Sequence, residues 1–220
     1  MMKRFFRPVI ALSFALFAVS ASAAVIPSVN VSFVGVNADQ EDLTGQLSLQ
    51  VLDLGSVARL VFSNNIGIAS NITTIYFDDA SNLLSGISLS SQTAGVDFAV
   101  VSPGNFPEGA TLSPTFNEEF QAERTNGPGG VARGIDAFGE SLTLDAALTG
   151  VTTVSDMMAA INSGSLRIGL HVQSIGARDG SDSYVTYLDQ PPSAVPVPAA
   201  AWLFASGLGF FGVARRRIQK

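Results

Sequence analysis

Between Ala24 and Leu188, apolar and polar residues alternate with a period of two in one short run after another, the spacing of half-buried β-strands. The run SVNVSF puts Val29, Val31 and Phe33 on one face, and GQLSLQVLDL does the same with Leu47, Leu49 and Val51. SLTLDAAL aligns Leu142, Leu144, Ala146 and Leu148, and LRIGLHV aligns Leu166, Ile168, Leu170 and Val172. ARLVFSN, ITTIYF, SGISLS, VDFAVVS and SYVTYL add short β-branched or aromatic runs, separated by Gly, Asn, Asp, Ser and Pro. Many short strands with turn residues between them predict a mainly β domain, an antiparallel β-sandwich with a jelly-roll-like arrangement. One helix is expected at TVSDMMAAINSG, with Ser155 as N-cap, Asp156 in the first turn and Gly164 as its stop. FNEEFQAE, residues 116–123, predicts a shorter helical piece, and residues 103–114 and 125–134 read as Gly/Pro-rich loops.

At each end the alternation gives way to an unbroken apolar run. Lys3, Arg4 and Arg7 precede the run from Val9 to Val19, and Ala21-Ser22-Ala23 follows it as a small-residue cleavage site. This is signal-peptide anatomy over residues 1–23, cut after Ala23, because a run this short falls well below the roughly 20 residues of a spanning helix. The alternative is an uncleaved signal anchor. Residues 199–214 are uncharged and reach ~24 Å at 1.5 Å per residue, close to a hydrocarbon core that flanking arginines can snorkel across. They predict a transmembrane helix with Trp202 near the outer interface and Arg215, Arg216 and Arg217 in a cytoplasmic basic tail, residues 215–220. A buried helix of a soluble domain is the competing reading, but the run has no polar face and carries Gly207, Gly209 and Gly212. Before it, residues 191–198 form a linker that Pro191, Pro192, Pro196 and Pro198 keep extended. The domain between is residues 24–190.

Charge follows the same division. Seven of the 12 basic residues lie at the two ends, whereas all 18 acidic residues lie in residues 24–190, where five arginines and no lysine leave a formal charge of −13. That surface repels phosphate backbones, which excludes nucleic acid and favours cations or basic surfaces as partners.

The absence of cysteine removes disulfides, thiolate metal sites and a cysteine nucleophile. His171 is the one histidine; on its strand it shares a face with Arg167, and no G-x-S-x-G elbow supplies it with a serine. Carboxylates gather at Asp39, Glu41 and Asp42, at Asp78 and Asp79, and at Asp179 and Asp182. Asp78, Asp79, Asp179 and Asp182 are the candidate calcium ligands, since hard cations take oxygen from such loops, although Asp179-Gly180 also suits a plain hairpin turn. A glycosidase would use two carboxylates across a sugar, and no motif nominates a pair. Tyr76, Tyr184 and Tyr187 would stack on saccharides if exposed. The expectation is therefore a protein without catalytic activity or obligatory cofactor, calcium being the one ion its loops suit.

The end of the chain, VPVPAAAWLFASGLGFFGVARRR, resembles the PEP-CTERM sorting signal of Gram-negative bacteria: a short proline motif, a hydrophobic helix opening on AAAWLF, glycines, and a terminal arginine cluster. Here the motif is Val195-Pro196-Val197-Pro198, with Val197 where the family often has Glu. TIYFDD, VDFAVVSPGNFPEG, SLRIGLHVQSIG and GSDSYV are similar to a recurrent ectodomain type among such proteins. The resemblance implies processing by signal peptidase and then by an exosortase, a membrane-embedded transpeptidase-like cysteine enzyme. It implies transient anchoring in the inner membrane and release to the cell surface or an exopolysaccharide matrix. The alternative function is a carbohydrate- or calcium-binding module on the cell surface.

Overall fold

The hairpin Leu47–Asp53 (β3) to Val57–Asn64 (β4) shows how the alternation is used. Leu47, Leu49 and Val51 pair across to Asn64, Phe62 and Leu60, and all face inward, while Ser48, Gln50 and Ser63 face out. The reversal needs Gly55 at φ 87°, and the Asp53 carboxylate accepts its N–H at 2.8 Å. In this computed structural model residues 28–37, 41–65, 67–126, 133–136 and 138–186 are described. The signal peptide, the sorting motif from Val195 to Pro198, the apolar segment 199–214 and the basic tail lie outside the described residues.

The described chain is mainly β, in two antiparallel sheets. The first has the order β1(Ser28–Ser32), β3, β4, β9(Ser141–Leu148), β6(Leu84–Gln92). The second has the order β2(Val34–Gly35), β11(Gly180–Val185), β10(Arg167–Ile175), β5(Asn71–Asp78), β8(Phe120–Arg124), β7(Phe98–Val101). Both sheets contribute to one apolar core, in which Leu49, Leu60, Phe62 and Leu144 of the first meet Ile75, Phe77, Ile168 and Leu170 of the second. β3-β4-β9-β6 with β11-β10-β5 follows the ABED and GFC strand order of immunoglobulin-type sandwiches. The β7–β8 hairpin is inserted between the fourth and fifth of these strands and extends the second sheet beyond β5.

A single helix, Val154–Ser163 (α1), connects β9 to β10. Its N-cap is Thr153, not Ser155: the Thr153 hydroxyl accepts from the Asp156 N–H at 3.2 Å and the Asp156 carboxylate accepts from the Thr153 N–H at 2.8 Å, a capping box. Gly164 ends it at φ 77°, as expected. No helix of the described residues is long and apolar enough to cross a membrane.

Two other expectations change. Residues 116–123 are not helical: Phe116 anchors a loop and Phe120 opens β8, whose pairing with β5 and β7 outweighs the helix-like spacing of the two phenylalanines. Val29 is exposed, because β1 is an edge strand whose first residues overhang the core, whereas Phe33 is fully buried. Every residue of β5 is buried, inner and outer faces alike. On the outer side it is covered by the loop of residues 102–119.

Register also fixes where the chain comes and goes. Ser28 pairs with Leu52 beside the β3–β4 turn, and Thr186 bonds Ile168 at the start of β10, just after α1. Both described termini thus lie at the end of the molecule that α1 occupies. The opposite end carries Gln46, Asn64, Ile135, Asp136 and Ser141.

Candidate functional site

The outer face of the second sheet presents Thr74, Tyr76 and Asp78 from β5, paired with His171, Gly169 and Arg167 from β10. Gly169 leaves a hollow that the Phe106 ring fills; a Cβ there would come within 2.8 Å of it. Phe106 packs on Tyr76 and Phe116, with ring centroids 5.3 Å and 4.6 Å apart, and Val185 completes this second apolar cluster. Gly104 N–H donates to Gln121 Oε1 at 2.5 Å, and the Phe106 N–H donates to the Glu118 carboxylate, tying the loop to β8 and its approach.

Under that loop lies the buried ion pair of Arg167 and Asp78. Arg167 also donates to the carbonyls of Pro114 and Thr115 at 2.7 Å and 2.8 Å, and its guanidinium lies 5.2 Å from the centre of the Phe116 ring. Asp78 is thereby a structural partner of an arginine. Its neighbour Asp79 shapes the β5–β6 turn: one carboxylate oxygen accepts the Leu84 N–H at 2.7 Å and its own N–H donates to Glu119 at 2.7 Å. Burial pushes the Glu119 carboxyl up, and the Asp78 and Asp79 charges add to the shift.

The other two candidate calcium ligands are apart in role. Asp179 is an exposed turn residue at φ 52° between a 3-10 turn and β11. Asp182 is buried within β11 and accepts its neighbour's N–H, from Ser183, at 2.7 Å. Among the described residues no three histidine, aspartate or glutamate side chains form a group able to hold a metal.

His171 is half-buried. Burial lowers its pKa, while the Glu108 carboxylate and a bond to the Asp182 backbone act in the other direction. Its Nε2 is 3.1 Å from the Gln173 amide nitrogen. Ser183 stands opposite it in register, but at 1% exposure a substrate cannot reach it, and its Oγ makes no hydrogen bond, so no nucleophile–base pair is formed. Tyr76 and Tyr184 do not offer a stacking surface. Tyr76 is 6% exposed, and Tyr184 is 1% exposed with its hydroxyl on the Glu41 carbonyl at 3.2 Å, where burial first, then Asp182, pushes its pKa up to about 12. Tyr187 lies outside the described residues.

Sequence reasoning did not nominate the far end of the domain. There a cavity of about 260 Å³ is lined by Gln46, Asn64, Gly67, Ile68, Ala69 and Asp136. The Gln46 amide donates to Asn64 Oδ1, Ile68 O and Ser70 Oγ at 2.6–2.9 Å. The Asp136 N–H donates to Glu140 Oε2 at 2.9 Å. The sequence signal was present as two acids four residues apart around a glycine, but nothing in it showed that buried amides lay beside them. No family model, curated protein or solved structure matches this chain.

Proposed function

We propose that this chain is an exported protein of the PEP-CTERM type, processed by an exosortase and ending as a non-catalytic component of the cell surface or extracellular matrix. One observation carries the reading: a signal-peptide pattern over residues 1–23 stands in the same chain as Val195-Pro196-Val197-Pro198, an apolar run with Trp202, and Arg215 to Arg217. Signal peptidase removes residues 1–23. The apolar helix then holds the chain in the inner membrane with its arginines inside. The exosortase cuts near the prolines, and the acidic domain passes to the surface or to an exopolysaccharide layer.

Two features of the domain support this. Both described termini lie at the α1 end, so one face can be turned to the membrane while the rest of the domain stands clear of it. The charge of −13 over residues 24–190 suits cations or basic surfaces as partners and not nucleic acid. Within the β class we read the domain as a β-sandwich. Its strand order favours the immunoglobulin-type Greek key over a jelly-roll-like arrangement, because β3–β4 and β10–β11 are hairpins within a single sheet.

The test is the intact mass of the protein from its native host, with and without the exosortase, in membrane and medium fractions. Loss of the segment after the proline motif only when the enzyme is present is the expected result. An uncut tail in the membranes of both strains would overturn the processing step.

A further inference from the structure

At the end of the domain opposite α1, Ile135 forms an isolated bridge with Ile72, which brings Asp136 beside Asn71, the first residue of β5. Asn71 is 8% exposed, and its Oδ1 is buried without a hydrogen-bond partner. Its Nδ2 points toward Asp136 Oδ2 at 3.5 Å, too long to count for much. A Cβ built on Gly134 would lie 1.7 Å from that Oδ1 and 2.4 Å from the Ile72 carbonyl oxygen, so both oxygens border the space that Gly134 leaves open. Turning the amide over aims its oxygen at the Asp136 carboxylate instead. With the nitrogen toward Asp136 the oxygen has no donor, and with the oxygen there it meets a carboxylate; either way a buried acceptor goes unsatisfied, which is costly.

The Asp136 carboxylate also faces a second acid. The Asp136 N–H donates to Glu140 Oε2 at 2.9 Å, which sets the two acidic side chains side by side. A positive ion among these oxygens removes each conflict at once.

We propose that Asp136, Glu140 and Asn71 Oδ1 supply the protein ligands of a hard divalent-cation site, of the calcium class. The donors are all oxygens, which selects calcium over softer metals. Water completes the six to eight ligands, and the adjoining cavity of about 260 Å³, lined in part by Gln46, Asn64 and Asp136, has room for it. Asp136 is exposed enough for an ion to reach it from solvent. The site is distinct from Asp78, Asp79, Asp179 and Asp182, and it stands whether or not the tail is processed.

The test uses the full chain, stripped with EDTA and titrated with calcium chloride by calorimetry, with thermal unfolding in parallel. One ion binds per chain, with Kd of about 10⁻⁴ to 10⁻³ M as in extracellular modules, and calcium raises Tm. Asp136→Asn weakens binding about tenfold or more and abolishes the Tm shift. Asn71→Asp gives the ion a third carboxylate: it binds about tenfold tighter, yet unfolds below the unsubstituted chain in EDTA. Asp179→Asn changes neither. Absence of heat and of a Tm shift at about 10 mM calcium, tenfold above the weak end of that range, overturns the site. So does Asn71→Asp binding no more tightly, an arm that holds even if Asp136→Asn fails to fold.

Discussion

The two sheets share one core but treat their outer faces differently. On the first sheet the outer side is open: Ser48 bonds Ser63 at 2.7 Å, and Arg59 makes a two-pronged pair with Asp145 at 2.8 Å and 2.9 Å, both side chains reaching solvent. On the second sheet the same kind of pair, Arg167 with Asp78, is sealed beneath residues 102–119 and bonded to two loop carbonyls. Water screens the first pair and weakens it; the second has lost its water and depends on its partners. The comparison teaches that an arginine–aspartate pair has no fixed worth, and that here the loop sets it.

The largest effect that would break this contrast is at Arg167. Arg167→Ala leaves Asp78 buried without its cation and lowers stability by about 3–5 kcal/mol in urea unfolding. Arg59→Ala costs at most a small fraction of that, since that pair sits in solvent. Equal losses at both sites would refute the comparison. Replacing the buried pair together, Arg167→Met with Asp78→Leu, recovers most of the stability lost by Arg167→Ala.

Phe106→Ala comes next. It removes the ring that fills the hollow over Gly169, at a cost of about 3 kcal/mol, the low end for buried aromatics because the loop can partly collapse. Amide exchange should accelerate in residues 102–119 and in β10 while β3 and β4 keep their protection. Uniform acceleration throughout the domain would mean that the loop is no separate cover.

The smallest effect is a pH dependence at the margin of the covered face. The Glu119 carboxyl is raised in the folded state, so the folded chain holds its proton more tightly than the unfolded chain does. Its contribution is fully present below the ordinary carboxylate pKa and is lost as pH rises through the raised value. Glu119→Gln can still accept the Asp79 N–H, so it stabilises at neutral pH, with a gain that fades on acidification; a gain constant from pH 4 to 7 contradicts the assignment. On the open face the sign reverses: Arg59 holds Asp145 below its ordinary range, so that contribution is lost as pH falls through the depressed value.

How far the sequence foretold this follows from the same contrast. Where one face of a strand met the core and the other met water, alternation located it: β3 and β9 were legible for that reason. β5 is buried on both sides, and its run ITTIYF betrayed a strand but not its cover. Its Thr73 is an extra residue opposite the His171–Val172 step, which lets Ile72 and Ile75 both face inward; no period reveals such a bulge. Residues 116–123, expected as a helical piece, instead divide between a loop anchored by Phe116 and the strand β8 opened by Phe120. The pairing of Asp78 with Arg167, 89 residues away, and the meeting of Asn71 with Asp136, 65 residues away, exist only through register. The N-cap is Thr153 and not the expected Ser155, because Thr153 makes the reciprocal bond with Asp156.

The placement of both described termini at the α1 end has a mechanical consequence. A domain tethered through residues beyond Thr186, and held by a ligand or matrix at its far end, is pulled along its strands. Antiparallel ladder bonds run across the strands, so such a pull loads the bonds of β11 to β10 and β2 together instead of one after another. Tension of that kind is resisted as shear, the direction in which a sheet is stiffest.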